Sequence, residues 1–495
     1  MIIRMTTGKI IAQNASRLML ATVGQKVIAF AAFTIAARIV GPAVTGEYFY
    51  AVAISSTFVV LGDLGLTQVI IRAIAADERK GRALLSASLR LKALFIPFAA
   101  LAAFAFGAWR GVSGDTLIAL TIMLFVMSAD SIQLALYGAL RGRQFLGYEA
   151  IGMLVGQTLS AVVAVSAAFL GWGAPGLASA LLIGSVWNVG WAWMQAQKHV
   201  GLSGKPSSAD IRGAMKQALP FALAGIFVKV YSYLDTIFIR EFQGNASVGN
   251  YAVAYKTTFA FQFIPLVFVA ALYPAMSLMF ANAERREKLG EVLQGSIRLM
   301  ALVSVPLAAG LSAIAPRFVP AFYSNSFLGA VAPLTILPWV LIPIFLDYPI
   351  GSLLNASHRA HLKTASLGAT MLVNAILNVL LIPTYGPVGA AWAGIFSYAF
   401  LLFMGVCFAW KDIPSKKWLS WLLVRSGVAA FLIWTVIRYV GVDIPFVLSL
   451  IFDVAYAVCI LLITKLLTIE DLKTSLNWLR SKVSPDDPVE DELHE

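Results

Sequence analysis

Three lysines sit where an apolar chain tolerates charge least. Lys26, Lys229 and Lys256 each lie inside a long apolar run. An ionised side chain at bilayer depth is costly enough to be read as functional by default. Lys26 precedes Gly41-Pro-Ala-Val-Thr-Gly46-Glu-Tyr48 by the same interval at which Lys229 precedes Gly244-Asn-Ala-Ser-Val-Gly249-Asn-Tyr251. At about 1.5 Å of rise per residue, each ammonium stands roughly 20 Å along its helix from the turn that follows. Such a matched pair facing one cleft suits an anionic head group such as a diphosphate. The alternative is that each lysine snorkels inward or pairs with a nearby acid. Lys256, just past Gly249, either joins the cleft or snorkels to the outer interface.

Several acids share these runs. Asp235 follows Lys229 at a spacing that does not stack on one helix face, so it is expected to meet another span. Asp235 and the rim residue Arg240 complete the expected substrate-binding set. Asp130 and Asp347 occupy matching places, and Arg141 and His358 follow them at the same interval. Each acid is a candidate for coupling to an H+ or Na+ gradient, or for an ion pair with a basic neighbour. Asp63, in Leu61-Gly-Asp-Leu-Gly-Leu66, is expected to organise a helix end.

Catalytic chemistry has no such support. The sequence contains no G-x-x-x-x-G-K-[ST] phosphate loop. His358 and His361 are one helical turn apart, but no nearby carboxylate or Cys completes a metal site. No Ser/His/Asp set or paired carboxylates emerge, so no catalytic residue, metal or cofactor is expected. Cys407 and Cys459 both fall in apolar runs and read as small core residues.

The elements that must position these charges are membrane spans. Of the 495 residues 59% are hydrophobic and 13% charged, and the mean hydropathy is +0.81. A soluble domain carries about 25% charged residues, so lipid must solvate most of this chain. Spans are expected at 15–40, 46–71, 92–109, 117–140, 149–170, 175–197, 215–240, 247–281, 294–315, 328–354, 362–383, 387–410, 417–440 and 444–467. The net charge of +12 follows from topology rather than nucleic-acid binding. Most Lys and Arg fall in alternate loops, as in the expected loop holding Arg72, Arg79, Lys80, Arg82, Arg90 and Lys92. The positive-inside rule then places both termini in the cytoplasm.

The two G-x-A-x-x-G-x-Y motifs begin a longer repeat. Met153-Leu-Val matches Met371-Leu-Val, and Gly173-Ala-Pro-Gly176-Leu-Ala178 matches Gly386-Pro-Val-Gly389-Ala-Ala391. Each pair lies six spans apart, an even number, so the copies share one orientation about an axis along the membrane normal. The expected fold is an all-α polytopic membrane protein of about fourteen spans. It divides into six-helix bundles at 14–200 and 214–411, a cytoplasmic linker at 201–213, two further helices within 412–468, and an acidic tail at 469–495.

Ala37 to Tyr48, Leu61 to Leu66 with Arg72, Leu219 to Tyr255, and Asn374-Ala-Ile-Leu-Asn378 through Ala391 together resemble the polysaccharide-transporter branch of the multidrug/oligosaccharidyl-lipid/polysaccharide exporter superfamily. The resemblance implies a MATE-like fold and a flippase in the bacterial cytoplasmic membrane. Its implied substrate is an undecaprenyl-diphosphate-linked oligosaccharide, an O-antigen or exopolysaccharide unit, moved by alternating access. It also implies membrane lipids, a polysaccharide polymerase and glycosyltransferases as partners, with no role for nucleic acid. Three alternatives remain at this stage: an ion-coupled drug or cation antiporter of the same superfamily, a flippase for the peptidoglycan lipid precursor, and a non-transporting scaffold.

Overall fold

A computed structural model describes residues 2–63, 65–204, 207–282, 288–440 and 446–468. The expected tail at 469–495, the linker residues Lys205 and Pro206, and the loop residues Arg285 and Arg286 lie outside the described residues. All regular structure among the described residues is helical. In lipid a backbone must satisfy its own hydrogen bonds, and a helix does so within one segment. Ten of these helices are long and apolar enough to cross a bilayer, and Leu448–Ile463 is a shorter apolar helix.

The elements run α1 (Ile2–Asp63), α2 (Leu66–Ala76), α3 (Glu78–Trp109), α4 (Gly114–Gly142), α5 (Leu146–Phe169), α6 (Gly173–His199) and α7 (Ser208–Phe259). They continue as α8 (Phe263–Ala281), α9 (Leu289–Tyr323), α10 (Val331–Ile336), α11 (Leu341–Ala356), α12 (Ala360–Phe408), α13 (Lys416–Tyr439) and α14 (Phe446–Ile463).

Three helices each consist of two legs joined at one glycine. Gly41 breaks α1 at φ 80°, Gly244 breaks α7 at φ 79°, and Gly386 breaks α12 at φ 54°. Only glycine adopts such angles without a steric penalty. Pro42 and Pro387 follow two of these breaks, at a first helical position where the missing N–H is no loss. Each of these expected span-to-span connections is thus made at the glycine itself.

The repeat motifs touch each other. A Cβ on Gly46 would stand 1.7 Å from the Asn245 carbonyl oxygen, and one on Gly249 would stand 1.9 Å from that of Pro42. Each motif therefore presses its second glycine against the turn of the other. This contact sits where α1 and α7, the most extensively packed pair of helices, meet.

Four expected spans differ in detail. The span at 46–71 stops at Asp63 and resumes at Leu66, with Gly65 left-handed between them. The span at 92–109 begins far earlier, at Glu78, where the Asp77 carboxylate accepts hydrogen bonds from the Arg79 and Lys80 amides at 2.9 and 3.2 Å. The long span at 247–281 breaks at a 3-10 turn over Ala260–Gln262, just ahead of Pro265, which cannot donate a helical bond. Between 325 and 341 short helical pieces alternate with 3-10 turns, matching the proline sequence Pro333, Pro338, Pro343.

The interlock yields a direct expectation. Gly249→Ala should cost about 1–3 kcal/mol, the usual penalty for overpacking, read as a lowered Tm of the purified protein. Gly295→Ala, inside α9 where an added Cβ meets nothing within 4 Å, should hold or slightly raise Tm through the better helix propensity of alanine. Equal Tm values for the two variants would remove the interlock from the fold's supports.

Candidate functional site

The three lysines belong to the two helices that meet at that junction. Lys26 comes from the first leg of α1, Lys229 from the first leg of α7 and Lys256 from its second leg. Lys26 lies within electrostatic range of Lys229 and of Lys256. Lys26 and Lys256 are exposed and Lys229 is half-buried. Among the described residues none of the three forms an ion pair with a carboxylate.

Two cavities carry these ammonium groups. The first, about 250 Å³, is lined by Lys26, Lys256, Phe33, Thr45, Gln157 and Ser160, among others. The second, about 470 Å³, is lined by Lys229, Asp130, Asp63, Ser55 and Ser56 with apolar neighbours. Aromatic rings face the cations. Lys256 Nζ lies 5.8 Å from the Phe33 ring centroid and 5.6 Å from that of Phe49. Lys229 Nζ lies 5.8 Å from that of Tyr233. Such faces favour a cation without neutralising it, so the net positive charge persists.

The remaining expected residues separate into distinct settings. Asp235 is buried and accepts hydrogen bonds from the Tyr251 hydroxyl on the second leg of α7 and from the Thr236 amide at 2.6 Å. It therefore meets another leg, as its spacing required, and bonds there to a phenol. Arg240 stands apart from the lysines, donating to the Arg110 carbonyl at 3.0 Å and lying 4.9 Å from the Tyr50 ring centroid. Beside it Arg110 pairs with Glu241.

Asp130 and Asp347 hold matching positions with unlike partners. Asp130 accepts from Ser185 at 2.7 Å and Gln133 at 3.1 Å, within electrostatic range of Lys229. Asp347 pairs with Lys363 at 2.5 Å. Arg141 and His358, the basic residues expected near them, go elsewhere. Arg141 pairs with Glu149, and the His358 ring packs against Phe280. No cluster of three or more metal-ligating side chains occurs among the described residues.

The sequence reading missed Lys92. Expected in a basic loop, it lies inside α3 with 1% of its side chain exposed. Its ammonium donates to Asp63 at 2.7 Å and to Ser131 at 2.9 Å, and Ser131 donates on to the Gly62 carbonyl at 3.1 Å. The cap at Asp77 was the available signal. A helix beginning at Glu78 carries Lys92 nearly four turns inward.

The sequence profile of the polysaccharide biosynthesis protein family matches residues 11–280. This chain belongs to that family. A second profile, MatE, matches residues 220–380, which bears out the superfamily resemblance. A curated relative, the probable low-salt glycan biosynthesis flippase Agl15 of Haloferax volcanii, is 23% identical over 442 residues, spanning 88% of this chain and 91% of its own. Among solved structures, the lipid II flippase MurJ in an inward closed conformation superposes with a TM-score of 0.72 at 15% identity, covering 94% of this chain and 99% of MurJ. An inward-facing multidrug resistance MATE family transporter superposes with a TM-score of 0.65 at 17% identity, covering 79% and 96% respectively. These likenesses establish the fold.

The Asp63–Lys92 pair gives the expectation here. Removing one partner of a buried pair costs about 3–5 kcal/mol because a charge is left unpaired. Lys92→Met should therefore lower Tm sharply, while Lys92→Met with Asp63→Asn should recover most of the loss. A double variant no more stable than Lys92→Met would show that Lys92 acts otherwise.

Proposed function

We propose that this family member is a flippase for a lipid-linked oligosaccharide whose diphosphate is received by Lys26, Lys229 and Lys256. The observation that carries the reading is three lysines gathered between α1 and α7 with no carboxylate ion pair among the described residues. A like-charged group of this kind is unfavourable until an anion joins it. A drug-cation antiporter would favour the opposite sign. The flippase name of the Haloferax relative supports the reading.

The carrier is taken as undecaprenyl diphosphate and the saccharide as an O-antigen or exopolysaccharide unit, turned across a bacterial cytoplasmic membrane by alternating access. Counting the legs of the three glycine-broken helices separately, with Leu448–Ile463, brings the ten apolar helices to the fourteen spans expected. An even number puts both termini on one side, which the basic loops make the cytoplasm, and the bundles at 14–200 and 214–411 rock about the glycine contact. Of the two coupling candidates Asp130 is the better placed. It borders the cavity of Lys229, whereas Asp347 is held by Lys363. Asp235 supports α7 through Tyr251, and Arg240 serves the rim rather than the diphosphate. Polymerase and glycosyltransferases would act on either side of the transport step.

A hydrogen bond to a charged group contributes about 1.5–3 kcal/mol. Lys26→Gln or Lys229→Gln should therefore cut polysaccharide export by roughly tenfold to a hundredfold while the amount of folded protein in the membrane holds. Unchanged export from the double variant would refute the cationic mechanism. Loss of protein together with export would instead make the lysines structural.

A further inference from the structure

A second cationic recess lies well away from the lysine cluster, at the opposite end of α13 from its Tyr439 terminus. It encloses about 310 Å³ and is lined by Arg298, Trp418, Trp421, Leu422, Arg425, Lys465, Leu466 and Thr468. Its three cations come from three different elements. Arg298 lies nine residues into α9 and Arg425 nine into α13, about 13 Å along each axis. Lys465 follows the end of α14 at Ile463. The shorter α14 stops level with the two arginines, and the recess is the space left beneath its end.

The end of α14 is shaped toward this space. Lys465 adopts a left-handed φ of 58°, a conformation that glycine usually supplies. The turn is closed by hydrogen bonds from the Lys465 amide to Leu462 at 3.1 Å and from the Leu467 amide to Leu461 at 3.0 Å. Arg298 reaches across to donate to the Leu466 carbonyl at 3.3 Å through both Nε and a terminal nitrogen. That bond fixes the floor and leaves Arg425 and Lys465, both exposed, as the cations at the mouth. Arg425 lies 5.9 Å from the Trp421 ring centroid. No Asp or Glu lines the recess among the described residues.

We propose that this recess binds an anionic phospholipid of the surrounding bilayer through its phosphate. Arginine guanidinium planes and a lysine ammonium on one side of a space match a phosphoryl group. Tryptophan beside them marks the head-group level of a membrane. What distinguishes a lipid from a free phosphate is the surface that leads away. Trp421, Arg425, Val428 and Leu432 follow the spacing of one helix stripe. Trp421 is 61% exposed, Val428 48% and Leu432 37%. An acyl chain can lie along that stripe with its phosphate at Arg425. A water-soluble ion has no use for it. This site does not depend on the substrate proposed above.

The test uses the purified full-length protein in a neutral detergent. Dioctanoyl-phosphatidylglycerol is added, with dioctanoyl-phosphatidylcholine and inorganic pyrophosphate as comparison probes, and thermal unfolding is followed. A ligand that binds only the folded state raises Tm, by about 2–4 °C for each kcal/mol of linkage in a mid-sized domain. The expected result is a rise with phosphatidylglycerol, little with phosphatidylcholine or pyrophosphate, and loss of the rise in Arg425→Gln/Lys465→Gln. Both substituted side chains are exposed, and Lys417→Gln, exposed but outside the recess, should retain the rise. Equal shifts from the two lipids, a shift reproduced by pyrophosphate alone, or a shift kept by the double variant would each overturn the proposal. Failure of lysine-cluster variants in export would not bear on this measurement.

Discussion

The closeness of two backbones governs this molecule. Gly46 and Gly249 each rest against a carbonyl of the opposite repeat at a distance no Cβ could share. From that contact the rest of the cleft follows. The legs on either side of Gly41 and Gly244 start from one fixed point, and Lys26 and Lys229 lie at equal distances along two of them. Their meeting is therefore a consequence of helix geometry rather than of attraction, since like charges gain nothing by approaching. The pattern is also isologous: the second glycine of each motif meets the turn of the other, as in a dimer of identical subunits.

Charge in the rest of the membrane region is treated in the opposite way. Lys92 is matched to Asp63, Lys363 to Asp347 and Arg141 to Glu149. A buried charge without a partner is expensive, so the protein neutralises it wherever a partner can reach. Asp130 and Asp235 are held by hydrogen bonds instead, whereas the lysine cluster has no carboxylate partner among the described residues and adjoins cavities rather than packed side chains. Its cost is acceptable only in a space that water or a ligand can enter. The aromatic rings that approach Lys229 and Lys256 lower that cost without cancelling the charge.

Much of this was legible in the sequence, and the reasons for the gaps are physical. The repeat, the in-membrane lysines and the helical class depend on spacing and hydropathy, which a bilayer makes unusually strict. Lys92 was misplaced because hydropathy marks where lipid begins, not where a helix begins, and α3 starts well before its apolar part. Asp130 and Asp347 looked equivalent because their helices are equivalent. Their partners, Ser185 and Lys363, come from other helices, and no periodicity reports contacts between spans. The breaks near Gly65 and Gln262 fell inside apolar runs, where glycine and proline outweigh composition. The recess beneath α14 was invisible for the same reason as the acid partners, since three elements distant in sequence form it.

The buried pair at Asp63 also bears on how the chain is made. A lysine in mid-helix resists entering the bilayer by about 2.5–3.5 kcal/mol. Synthesis proceeds from the N-terminus, so Asp63 is already in place when the segment bearing Lys92 emerges, 29 residues later. The acid can receive the ammonium as that helix integrates. Ser131, 39 residues further on, closes the site only when α4 follows. A cation that would hinder insertion alone thus finds its counter-ion laid down ahead of it, and the order of residues along the chain becomes an order of assembly.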